Sequence, residues 1–144
     1  MTAITATKSN TSSLKAGIVA GLAGGLVFGM MMGMMGMLPM VGMLIGVDSA
    51  LLGFIVHMGI SATIGAIYGL VATRLPQSWG GAVIAGMVNG VIWWILGALI
   101  MMPLMLGMTD MIFAIGQTQW LSLMGHLIFG VVTALVFIPL NKRF

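Results

Sequence analysis

The chain of 144 residues is 60% hydrophobic and only 5% charged, with a mean hydropathy of +1.20 and a net charge of +3. A water-soluble domain of this size carries about a quarter of its residues as charged side chains, so this composition points to an integral membrane protein. Five Lys and Arg are too few for a nucleic-acid-binding patch, and the absence of Cys excludes a disulfide framework, a thiolate nucleophile and a Cys-ligated zinc or iron–sulfur centre.

Residues 1–15, rich in Ser and Thr and carrying Lys8 and Lys15, read as a short cytoplasmic tail. The apolar run after them is long and has no small-residue cleavage site, unlike a removable signal peptide. Four stretches, 16–38, 50–73, 80–102 and 119–140, each supply the roughly 20 apolar residues that a helix needs to cross a bilayer. Inside lipid the backbone must satisfy its own hydrogen bonds, and the short alternating strands of a barrel are missing. The expected fold is therefore an all-α integral membrane protein with four transmembrane helices. Ser12 and Ser13 are expected to cap the first helix, and Pro39, Pro76, Pro103 and Pro139 to mark helix ends.

With four crossings, Lys8, Lys15, Arg74, Lys142 and Arg143 all fall on one side, while Asp48 and Asp110 fall on the other. The positive-inside rule then places both termini and the middle loop in the cytoplasm. The expected location is a bacterial or archaeal cytoplasmic membrane.

The sequence also repeats. IVAGLAGGLVF (18–28) lies on VIAGMVNGVIW (83–93) at an offset of 65, which also carries Met37, Met40 and Met43 onto Met102, Met105 and Met108. After four extra residues in the second outer loop the offset becomes 69, and Gly53, His57, Ser61, Gly65 and Tyr68 fall on Ser122, His126, Gly130, Ala134 and Phe137. The chain thus reads as a tandem, parallel repeat of two helical hairpins, 16–76 and 77–144. Each hairpin has an even number of spans, so the pseudo-twofold axis runs along the membrane normal, and an inverted-repeat transporter is disfavoured.

Gly17, Gly21, Gly25, Gly29 and Gly33 recur every four residues on the first helix; Ala82, Gly86 and Gly90 on the third and Ser61, Gly65 and Gly69 on the second form shorter stripes. Lipid offers little hydrophobic drive between helices, so close contact through small residues is a main source of association. The first stripe turns by about 40° per step. It is longer than one neighbour needs and is expected to meet a second protein as well.

His57 and His126 are the only titratable side chains expected within the spans. Each lies roughly 10 Å below the outer boundary at about 1.5 Å per residue, and burying such a group is costly without a partner or a function. One reading is a neutral imidazole in an interhelical hydrogen bond. The others are a proton relay, a metal ligand, and an axial ligand to haem or another pigment held between two diagonal helices about 14 Å apart. Gly53 and Ser122, four residues before each His, would let a flat macrocycle lie against the helices. The second chemical feature is the methionine set of 17 residues. Met37, Met40, Met43, Met102, Met105 and Met108 sit at the outer boundary and present soft thioethers suited to Cu(I), although Met also fills gaps beside glycines. Asp48 and Asp110 either are simply solvated or attract cations to this layer.

Trp93 and Trp94 fall in the middle of a span and are expected to pack on a helix, a partner or a lipid, whereas Trp79 and Trp120 read as boundary anchors. Asn89 is polar at mid-membrane and is expected to bond between helices. There is no paired carboxylate, phosphate loop or nucleophile beside a base, so an enzyme is not expected. The expected role is a non-catalytic accessory or assembly subunit of a larger membrane complex, meeting other subunits or itself and binding haem or pigment through the two His. The alternative is a Met- and His-based Cu(I) carrier.

Overall fold

A computed structural model describes residues 10–144, and all regular structure among the described residues is helical. Four helices are long and apolar enough to cross a membrane: Asn10–Met34, Ala50–Ala72, Trp79–Met105 and Gln117–Arg143. We call Asn10–Met34 α1, the short helix Leu38–Gly42 α2, Ala50–Ala72 α3, Trp79–Trp93 α4, Met102–Met105 α5 and Gln117–Arg143 α6. Residues Trp94–Met101 form a π-helix that joins α4 to α5 in a single span. Lys8 lies outside the described residues.

The helix ends differ from the sequence-based expectation in informative ways. Ser12 and Ser13 lie inside α1 rather than at its cap. Ser13 is fully buried, and its hydroxyl donates to Asn141 Oδ1 at 3.1 Å, a tertiary bond across 128 residues that replaces the local cap. Pro139 lies within α6, which continues to Arg143. So near a helix end the missing N–H of Pro removes little of the ladder, and Asn141 fixes the final turn. At its C-terminal end α1 stops at Met34, and Gly36 takes φ +67°, a left-handed conformation that glycine adopts without a steric penalty. The chain reverses there, so 35–38 do not extend the first span. Pro39 instead sits in the first turn of α2, where its missing N–H costs nothing. Elsewhere the caps are conventional. Ser49 Oγ accepts from Leu52 N–H, Ser78 Oγ from Gly81 N–H, and the Gly116 N–H donates to Gln119 Oε1.

α1 packs against both α3 and α6, and α6 packs against α4. The most apolar stretches of α1 and α6 are 44% buried, against 22% for α3 and for the α4–α5 span, which makes α1 and α6 the inner pair. α3 and α4 form no comparable interface with each other. The bundle is consequently closed on three seams and open on the fourth.

Glycine makes two of those seams. A Cβ on Gly65 would stand 2.6 Å from Gly21 Cα, and one on Gly17 would stand 2.8 Å from Gly69 Cα. On the other side, a Cβ on Gly86 would come 2.8 Å from Val131 Cα, and Gly90 fits against the His126 carbonyl. Gly25 faces Ser61, and Gly29 faces Phe54 and His57, whereas Gly33 meets only the tip of Leu38. The third seam, α1 on α6, closes where Gly24 faces Phe129 and Thr133 and where Gly125 receives the Phe28 ring. Toward the end carrying Lys15, Arg74, Lys142 and Arg143, the core consists of Ala16, Ala20, Ala72, Ala82 and Ala134 around an edge-to-face Tyr68–Phe137 pair with centroids 5.7 Å apart.

Gly65→Val should therefore force α1 from α3. Overpacking of this kind costs about 1–3 kcal/mol, measurable as a lower unfolding midpoint in detergent. At Gly59, where nothing lies within 4 Å, Gly59→Ala should be neutral or slightly stabilising, because Ala favours a helix over Gly by about 1 kcal/mol. Equal losses at both positions would contradict the packing described.

Candidate functional site

The open side of the bundle is a cavity of about 590 Å³, within the range of roughly 300–1,000 Å³ typical of small-ligand sites. Its walls are α3, through Val56, Ile60 and Ile64, and the α4–π segment, through Trp93, Gly97 and Met101; Phe28 of α1 and Phe129 of α6 close the back. Among the described residues, its lining carries the polar side chains His57, Ser61 and Thr63 of α3 and Ser122 and His126 of α6, and no charged one.

The two histidines are held in similar ways. His57 Nε2 lies 2.9 Å from the Gly25 carbonyl of α1. A carbonyl only accepts, so Nε2 carries the proton and donates it, and the Ser61 hydroxyl lies 3.5 Å from the same nitrogen. His126 uses its other nitrogen: Nδ1 donates to the Ser122 carbonyl at 2.7 Å, one turn back on α6, with Ser122 Oγ at 3.4 Å. Among the described residues, His57 Nδ1 and His126 Nε2 have no hydrogen-bond partner, which leaves each with its lone pair. Fixing one ring nitrogen on a carbonyl while freeing the other is the arrangement that orients imidazole as a ligand.

Phe28 joins the two rings. Its edge-to-face contacts place its centroid 5.4 Å from His57 and 4.9 Å from His126, so the imidazole centres lie within about 10 Å of each other. Nothing in the sequence marks Phe28 as part of a site; its only signal is its place at the end of the repeated segment, where the second copy has Trp93. Gly53 does not offer a flat face for a macrocycle, because the backbone of α2 occupies that side at Leu38 and Gly42.

The methionines divide. Met37, Met40, Met102 and Met105 line the cavity with the two His, joined by Met32 and Met101, which the repeated spacing does not single out. Met108 lines only an adjoining cavity of about 270 Å³, shared with Met37, Met40 and Met102. Met43 is exposed and lines neither. The break at Gly36 accounts for Met43, since it turns α2 back onto α3 and leaves Met43 exposed. Among the described residues no three His, Cys, Asp or Glu side chains converge on a metal-sized space.

Trp94 is buried; its indole N–H donates to the Gln119 carbonyl at 3.0 Å, and its ring stacks on Trp120 with centroids 6.2 Å apart. Trp120 is thus paired as well as placed near a boundary. Asn89 does not make its expected interhelical bond, for its Nδ2 is buried and unpartnered. Asp48 and Asp110 are exposed in the segments that join α1 to α3 and the α4–α5 span to α6. No family model, curated protein or solved structure matches the chain.

The geometry predicts opposite tautomers for the metal-free protein: Nε2–H at His57 and Nδ1–H at His126. Nitrogen-15 NMR of labelled histidine distinguishes them, and finding one tautomer at both positions would refute the hydrogen-bond assignment.

Proposed function

We propose that this chain is a small, non-catalytic membrane protein that holds a soft metal ion, Cu(I), in the cavity between two helical hairpins, in the service of a larger membrane complex. The observation that carries this reading is that His57 and His126, each with one free ring nitrogen, line a cavity whose other soft donors are methionine sulfurs. Thioether and imidazole together favour Cu(I) over the hard cations, which need oxygen ligands. Met40 and Met105 are exposed at the rim, Met37 and Met102 lie partly buried, and His57 is buried. This gradation offers an ion a run of soft donors from the boundary inward. Asp48 and Asp110 add two negative charges at that end, while Lys15, Arg74, Lys142 and Arg143 are all at the other. In this reading the basic end faces the cytoplasm of a bacterial or archaeal cell. The accessory role draws on the shortness of the segments that join the four spans.

The tandem repeat belongs to the same proposal. In its favour, Gly21 meets the Ser61 carbonyl as Gly86 meets the Gly130 carbonyl, the partners in the two hairpins being related by offsets of 65 and 69. The α1–α3 and α4–α6 interfaces then correspond, with a pseudo-twofold axis along the membrane normal.

A second reading, a haem or related pigment, draws on His126, whose Nδ1–H is tied to a carbonyl with Nε2 free in the manner of an axial ligand. Two features weigh against it: α2 covers Gly53, and no cationic side chain lines the cavity to meet acidic substituents of a macrocycle.

The test is competition against a Cu(I) chelator under reducing conditions, using the purified protein in detergent. Wild-type protein should bind one ion, and replacing Met37, Met40, Met102 and Met105 with Leu should weaken binding by about tenfold or more, equivalent to about 1.4 kcal/mol. Met43→Leu should leave it unchanged. Binding that survives the fourfold change and the double change His57→Leu, His126→Leu would end the proposal, and visible absorbance in protein from native membranes would favour the second reading.

A further inference from the structure

Resting on the repeat reading, the open seam has a cause in three side chains. α1–α6 and α4–α3 are corresponding interfaces, yet the first is closed and the second is parted by the cavity. The closed seam depends on two glycines: Gly24, against Phe129 and Thr133, and Gly125, which receives the Phe28 ring. By the same offsets, Gly24 corresponds to Asn89 and its partners Phe129 and Thr133 to Ile60 and Ile64, while Gly125 corresponds to Val56 and Phe28 to Trp93. Four of these five residues, Val56, Ile60, Ile64 and Trp93, line the cavity.

We infer that Asn89, Val56 and Trp93 hold the two hairpins apart and so set the size of the ligand compartment. Val56 occupies the place that an indole would need in order to nest as Phe28 does. Asn89 opposes closure in a second way. Its Nδ2 already lacks a partner, and closing the seam would press that amide against two isoleucines, where a polar group without a hydrogen bond is costly. The three residues are positioning residues; they shape the space around the imidazoles and thioethers without ligating anything.

The absence of native Cys makes distance measurement between paired spin labels direct. Labels at Leu51→Cys on α3 and Leu96→Cys on the π segment, both exposed positions, report the open seam. A second pair at Val19→Cys on α1 and Met124→Cys on α6 reports the closed one. In the double variant Val56→Gly, Asn89→Gly the α3–π distance should shorten by several ångströms, as helix axes move toward the usual spacing of about 8–10 Å. The α1–α6 distance should stay constant, and Cu(I) affinity should fall about tenfold. Val56→Ala, Asn89→Ala, which keeps helix propensity, should move the same distances the same way by less. An unchanged α3–π distance in both variants would overturn the inference. Shortening in a protein whose wild type binds no Cu(I) would uphold it while removing the soft-metal reading alone.

Discussion

The architecture depends on how closely helices can approach in a solvent that gives them little reason to associate. Lipid tails are as apolar as the side chains they would release, so the attraction that matters is contact between atoms already touching, and it grows only as backbones come together. Where two small residues meet, as at Gly21 with Gly65 and Gly86 with Gly130, the chain gains that contact. Where a larger residue intervenes, the helices part. Both the closed seams and the cavity follow from this one constraint, so the space for a ligand is not separate from the packing that holds the protein together.

The same constraint explains how far the sequence could be read. Four spans were legible because composition and length determine them, and the spacing of Gly17 to Gly29 marked a face that does meet other helices. Side chains whose roles depend on distant partners were not legible. Ser13 looks like a cap and is instead half of a buried pair with Asn141; Phe28 looks like ordinary apolar filling and stands against both histidines. The helix ends failed for a local reason. Gly36 permits a reversal that Met101, 65 residues further on, does not invite. One span therefore breaks into α2, and the other runs through a π-helix into α5.

That difference reaches the site. Had the first span run on as straight as the third, the six boundary methionines would have formed two matching stripes. Because α2 folds back on α3, Met43 leaves the layer, while Met108, just past the left-handed Gly107 that follows α5, lines a neighbouring cavity. The histidines suffer no such division, since they lie on the straight helices α3 and α6. Their placement could be read from the chain; the direction of their protons could not, because it is set by Gly25 on another helix in one case and by Ser122 on the same helix in the other.

The bond from Ser13 to Asn141 also bears on the order of assembly. α1 and α3 are close in sequence and can pair through their glycines as soon as both have entered the bilayer. The other face of α1, with Ser13, Gly24 and Phe28, is completed only by α6. During synthesis that face waits through the making of some hundred residues before Gly125, Phe129 and Asn141 arrive to cover it, so the helix made last is the one that completes the packing of the first.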